Sequence, residues 1–133
     1  IARALRSEKL LAITDARGTP TYGDDLAARL RELALLNTTG IFHVVNSGSG
    51  ASYEEFVRHA LEIAGQNEAK IQPVTEASLH RPAPRPANSC LRCLRSQSLG
   101  LTDLPHWQDA LRIFVAREVE LSSLAGSVAP AQT

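Results

Sequence analysis

Only two stretches of this chain read as buried strands, and each is followed by a helix. That order restricts the fold more than any other feature. Leu10-Leu11-Ala12-Ile13 is a short apolar run closed by Thr14 and Asp15, the pattern of a buried strand. Arg17-Gly18-Thr19-Pro20 is turn chemistry. A helix is expected over about residues 24–36, with Leu26, Ala27, Leu30, Leu33 and Ala34 as its apolar stripe. Asp24 and Asp25 sit at its positive end, and Asn37 to Gly40 stop it. Ile41-Phe42-His43-Val44-Val45 is the second expected strand, rich in β-branched residues, with the polar loop Asn46-Ser47-Gly48-Ser49-Gly50 at its carboxyl end.

Ser52 and Glu55 have the spacing of a capping box, opening a helix to about Ala64. Phe56, Val57, Ala60, Leu61 and Ala64 face inward and Gly65 is the stop. Ile71 to Val74 is a short extended piece. Residues 80–88 hold three prolines, which remove backbone donors and push their neighbours extended, so no regular structure is expected there. A last helix covers about Pro105 to Val119, with Trp107, Ala110, Leu111, Phe114 and Val115 on its core face. Beyond Leu121 the small polar residues read as a frayed tail. The expectation is a single α/β unit over residues 1–121, a small sheet with flanking helices, followed by a flexible tail over 122–133. With so few strands, it should expose strand edges or apolar faces that a missing partner would cover.

Composition narrows the function. At 133 residues the chain has room for one ordinary domain. Its 14 basic and 14 acidic side chains cancel, which argues against a dedicated nucleic-acid binder. No apolar run is long enough to cross a bilayer. No Met opens the chain and no basic-then-apolar leader precedes Leu5, so a piece of something longer, with no signal peptide in it, is expected. Cytoplasm is the expected compartment.

Gly48-Ser49-Gly50 lies where anions can bind, between a strand and a helix N-terminus. It lacks the third glycine and the downstream acid of a dinucleotide fingerprint, so a plain turn is expected. Cys90 and Cys93 have the spacing of zinc and redox pairs, but no second ligand pair exists, and two ordinary thiols are expected. His43 reads as a hydrogen-bonded core or sheet-face residue. No histidine among His43, His59, His80 and His106 has a nucleophile in register. Arg81 and Arg85 stand in a segment stiffened by Pro82, Pro84 and Pro86. Stiffening lowers the entropy cost of presenting a guanidinium, which can grip a phosphate with two parallel hydrogen bonds. The alternative is a solvated loop whose arginines cap helix carbonyls or pair with Glu76. Residues 15–22 lie at the carboxyl end of a strand, where α/β folds place ligands. There Asp24 and Asp25 read as helix-terminus residues, while Arg17 and Tyr22 stay open.

Several of these stretches, in this order, resemble the dTDP-4-dehydrorhamnose reductase family. They are Asp15-x-x-Gly18-x-Pro20-Thr21-Tyr22-x-x-Asp25-Leu26-Ala27, Gly40 to Gly48, Ser52-Tyr-Glu-Glu-Phe56, Arg81 to Ser89 followed by Leu91, Leu99-Gly-Leu101, Pro105-His-Trp107 and Ala110-Leu111. The resemblance covers about residues 8–119. It implies the C-terminal, substrate-binding part of a Rossmann-type extended short-chain dehydrogenase/reductase. The partner domain, an N-terminal Rossmann unit, would bind NADPH or NADH and carry the catalytic Tyr-x-x-x-Lys. Neither Tyr22 nor Tyr53 has a lysine four residues on, so no catalytic residue and no cofactor is expected in this chain, and it should not transfer hydride alone.

The resemblance also implies a nucleotide-sugar ligand, dTDP-4-keto-rhamnose, near Arg81, Arg85 and Asn88, with Arg17, Thr21 and Tyr22 next. Two positions depart from the family pattern. Ala16 stands where an amide is frequent, and Cys90 and Cys93 stand where apolar or small polar residues are usual. Some relatives dimerise with Mg²⁺, but no acidic cluster here assigns a metal. A homodimer through exposed apolar surface is a further expectation. Two alternatives stay open. One is a non-catalytic relative of the regulatory subunit of methionine adenosyltransferase. The other is a nucleotide-sugar epimerase or dehydratase.

Overall fold

The computed structural model describes residues 9–66 and 70–127. Strands β1 (Leu10–Ile13) and β5 (Ile71–Val74) form a parallel pair, with Leu10 opposite Ile71 and Ile13 opposite Val74. Leu10 N–H donates to Lys70 O and Thr14 N–H to Val74 O, each at 3.0 Å. Alternate residues of a parallel strand bond to opposite sides. Leu11 and Ile13 therefore turn their backbone groups to the side of β1 away from β5, and Pro73 turns its missing N–H to the side of β5 away from β1. Proline is tolerated at such an edge because no ladder bond is lost there.

A second sheet has the order β4-β2-β6, built from β2 (Arg17–Gly18), β4 (Ala51–Ser52) and β6 (Asn88–Ser89). β2 runs antiparallel to β4 and parallel to β6. A third pairing joins β3 (Asn46–Ser47) to β7 (Leu104–His106) in parallel. The sheet content is small and α/β, as expected. Arg17-Gly18, read as turn, is instead a strand, and Asn88 is drawn into its ladder.

Helix α1 spans Gly23–Leu35, α2 Tyr53–Ile63, α3 Leu94–Ser98 and α4 Trp107–Ser127. The capping box forms as the sequence indicates. Ser52 Oγ accepts from Glu55 N–H at 3.1 Å, and Glu55 Oε2 accepts from Ser52 N–H at 2.8 Å. α2 closes on Gly65, whose φ is +68°, with Gly65 N–H on Glu62 O and Gln66 N–H on Leu61 O. This is the paired closure that a left-handed glycine permits. The core lies between α2 and α4. Ala51, Trp107, Leu111 and Val115 are buried there, with Phe56, Ala60 and Ile63 packed on them.

Three expectations are corrected. Residues 41–45 are not a strand: only Asn46–Ser47 finds a partner, and Ile41 and His43 are exposed, so the β-branched run has no neighbour to ladder with. On α1, Ala27, Leu30 and Ala34 are exposed, whereas Arg29 is buried. The face turned inward is Tyr22, Asp25, Leu26, Arg29 and Leu33, because Asp25 binds Asn46 and an Arg29 Nη donates to Thr102 O. α4 continues to Ser127, past the expected end near Val119. No proline interrupts it before Pro130, and its Ala, Leu and Glu favour helix. The tail residues 128–133 lie outside the described residues.

Gly50 and Gly65 both have positive φ but differ in surroundings. A Cβ on Gly50 (φ +73°) would collide with Cys90 Sγ and lie 2.5 Å from Gly18 O, whereas one on Gly65 would meet open space. Gly65→Ala should cost roughly 1–2 kcal/mol from the left-handed backbone alone. Gly50→Ala should cost roughly 2–5 kcal/mol, because overpacking adds to that strain. Urea unfolding midpoints of the two variants check the order.

Candidate functional site

The loops at the carboxyl ends of the strands are fixed first by Asp15, whose Oδ1 accepts Glu76 N–H at 2.8 Å. This ties the end of β1 to the segment leading into the proline-arginine stretch. Arg17 then anchors the middle of the second sheet. Its backbone N–H donates to Ala87 O at 2.8 Å, and its carbonyl accepts the Ser89 hydroxyl at 3.1 Å. Its guanidinium donates to Glu55 Oε2 at 2.9 Å and to Gly50 O at 3.1 Å. Arg17 is therefore committed to positioning its neighbours.

Around it lies a pocket of about 430 Å³, within the usual range for small-molecule sites. Arg17, Arg81 and Arg85 line it with Tyr53, Glu76 and Ser89. Arg81 Nε stands 3.6 Å from Glu76 Oε1, an ion pair too long to be a hydrogen bond. Arg85 has no hydrogen bond or ion pair among the described residues. The two readings of this segment thus divide between its arginines, one loosely paired with Glu76 and one open. Asn88 does not line the pocket; its Oδ1 accepts Cys90 N–H at 2.9 Å and holds the turn behind β6.

Thr21 and Tyr22 line a second pocket of about 510 Å³, which shares Pro20 and Phe56 with the first. Its other walls include Trp107, Phe114 and Arg117. Tyr22 is set from two sides. Its N–H donates to Asn46 Oδ1 at 2.7 Å, and its hydroxyl donates to Asp24 Oδ2 at 2.8 Å. Asn46 is almost fully buried and also donates to Asp25 Oδ2 at 2.6 Å and Pro105 O at 3.0 Å. Asp24 and Asp25 are thus spent on these bonds and not on capping; the N-cap Tyr22 makes no side-chain cap bond. Ser89, Tyr53, Trp107 and Phe114 were not singled out as site residues from sequence. The aromatic ones read simply as core or helix-start residues.

The ionisable groups follow this geometry. Glu55 is held below the ordinary carboxylate range, first by the Ser52 backbone N–H and then by Arg17, with slight burial opposing. A depressed carboxylate contributes stability at neutral pH and loses that contribution as pH falls through its folded value. The stability gap between wild type and Glu55→Gln should therefore close in acid, below the ordinary carboxylate range, as read by denaturant melts across pH. Tyr22 and then Asp24 raise the Arg117 pKa.

Both cysteines are free, and among the described residues no group of three or more His, Cys, Asp or Glu is placed to hold a metal. Burial pushes the Cys93 thiol up, but hydrogen bonds from the Ser96 side chain and backbone, then from His43 and Arg95, bring it below its usual value. Ser96→Ala should shift the pH midpoint of Cys93 alkylation by iodoacetamide upward.

In the Gly48-Ser49-Gly50 loop, the space beside Gly48 is taken by His106 and Trp107, and that beside Gly50 by Cys90 and Gly18. These glycines permit internal close packing. No Tyr-x-x-x-Lys occurs in the sequence.

Together these features define an α/β unit whose strand-end loops face an arginine-lined pocket. Comparison with known proteins agrees. Residues 1–120 match the family described as RmlD substrate binding domain, and the chain belongs to that family. It is 36% identical over 120 residues to a dTDP-4-dehydrorhamnose reductase of Streptomyces griseus, covering 84% of this chain and 39% of that protein. It is 34% identical to a probable dTDP-4,6-dihydroxy-2-methyloxan-3-one 4-ketoreductase of Streptomyces antibioticus, covering 84% and 38%. Among solved structures, the dTDP-4-dehydrorhamnose reductase of Bacillus anthracis in complex with NADP superposes with a TM-score of 0.81 at 25% identity, covering 87% of this chain and 41% of that one. The chain spans about two fifths of the length of the relatives it matches. Among the described residues no helix is long and apolar enough to cross a membrane.

Proposed function

We propose that this chain is the substrate-side portion of a dTDP-4-keto-rhamnose reductase, holding the nucleotide sugar while a Rossmann domain outside this sequence supplies NADPH or NADH and the catalytic residues. The observation that carries the reading is the convergence of Arg17, Arg81 and Arg85 on one pocket. The family and the dTDP-sugar names of its relatives add to it. A pyrophosphate carries the charge that open guanidinium groups bind best. Arg85 is the first donor, because no internal partner must be displaced. Arg81 follows by leaving Glu76, and Arg17 acts by keeping the pocket wall in place. Asn88 supports the turn, and Thr21 and Tyr22 extend the site toward the second pocket. The cytoplasm is its proposed compartment.

Calorimetric titration of the chain with dTDP-rhamnose tests this. Arg85→Ala and Arg81→Ala should each weaken binding by about ten- to a hundredfold, since a charge-assisted hydrogen bond contributes roughly 1.5–3 kcal/mol. Binding that ignores both substitutions would remove the arginines from the site. Failure of the folded wild type to bind would overturn the reading that these residues hold the nucleotide sugar.

A further inference from the structure

We infer that Glu76 is an internal counter-ion of the arginine pocket: its carboxylate holds Arg81 while the pocket is empty, and an entering anion binds there by displacing it. The inference rests on the reading above for the arginine pocket and adds what restrains it.

Glu76 is fixed from both sides. Its N–H donates to Asp15 Oδ1 at 2.8 Å, and its carbonyl accepts Leu79 N–H at 3.2 Å, opening the 3₁₀ turn Ala77–Leu79. Its side chain is only 18% exposed and lines the pocket with Arg81 and Arg85. Within it, Oε1 is buried and has no hydrogen-bond partner among the described residues. A buried oxygen without a donor is costly, and more so when it carries charge. Arg81 Nε, at 3.6 Å, supplies opposite charge but no hydrogen bond. Glu55 shows what a structural carboxylate looks like in the same molecule, since it accepts from both the Ser52 N–H and the Arg17 guanidinium. Glu76 holds Arg81 by attraction alone, and such a pair opens readily.

Arg81 is the movable member. Its side chain is 40% exposed, and among the described residues none of 81–86 makes a backbone–backbone hydrogen bond. Pro82, Pro84 and Pro86 have no N–H to give, and bonding resumes only where Ala87 O accepts from Arg17. The guanidinium can therefore turn to a ligand while Glu76 stays in place. A bound anion then faces the carboxylate that it displaced, so the group that holds Arg81 in the empty pocket also favours release from the filled one.

Inorganic pyrophosphate is the probe, titrated by calorimetry into the 133-residue chain and into Glu76→Gln, Arg81→Ala and the double variant, with urea melts to show that each is folded. Glu76→Gln keeps the side chain's shape and both backbone bonds. It should tighten pyrophosphate about fivefold, the upper end of what a partly exposed ion pair contributes. Damage to the fold would not tighten binding. In the Arg81→Ala background the same substitution should lose most of that gain, because no guanidinium remains to be released. An equal gain in both backgrounds would make Glu76 a general repulsive charge and overturn the counter-ion role. Weaker binding in Glu76→Gln would overturn it as well. Arg85→Ala separates this inference from the reading on which it rests. If Arg85→Ala weakens pyrophosphate while Glu76→Gln does not strengthen it, the counter-ion role alone falls. If Arg85→Ala is silent, or neither the wild type nor Glu76→Gln binds, the arginine pocket is not the site and both fall.

Discussion

The contact on which most of this structure depends is the one between Arg17 and Glu55. Glu55 already closes the capping box of α2, so its carboxylate faces the Ser52 N–H and the guanidinium together. Through that one carboxylate, the start of α2 is tied to the central strand of a sheet only two residues deep. The sheet in turn holds the proline-arginine segment by Arg17 N–H on Ala87 O and the Ser89 hydroxyl on Arg17 O. Exposed ion pairs are usually weak. This one matters because it is shared: one carboxylate satisfies a helix terminus and a sheet at once, in a molecule with little other sheet to spend.

Asn46 does the corresponding work on the other side. Its acceptor and both amide hydrogens are engaged, with Tyr22, Asp25 and Pro105. A buried amide with all three partners is rigid in direction as well as position. The start of α1 and the approach to α4 are therefore locked to each other, and the aromatic pocket lies between them. Arg17 and Asn46, which fix the walls around the two pockets, are both engaged with neighbouring segments. The groups left over, Arg85 and the rims formed by Phe114 and Tyr53, are the ones that face outward.

Local signals in the sequence were the legible ones. The capping box, the Gly65 stop and the Trp107, Ala110, Leu111, Val115 stripe each depend on residues within a few positions of one another. They appear in the structure as read, except that Phe114, expected on the same stripe, is 40% exposed. What failed depended on distant partners. Residues 41–45 have strand-forming side chains but no strand beside them. α1 turns Arg29 inward because Thr102, 73 residues away, accepts its hydrogen bond. Arg17-Gly18 looks like turn by composition and becomes a strand because residues 51–52 and 88–89 come to meet it. The same division holds for the site. The arginines were visible because prolines frame them in the sequence. The pocket they share with Ser89 and Tyr53 exists only once three distant segments have paired.

Pro73 gives the parallel pair a direction. The outer side of β5 lacks a donor where Pro73 stands, while the free side of β1 keeps the backbone groups of Leu11 and Ile13. Among the described residues, a strand added at the β5 edge would therefore meet a missing donor at Pro73, and one added at the β1 edge would not. Stacking strand upon strand into an unbounded fibril would require both edges to be competent, and only one is.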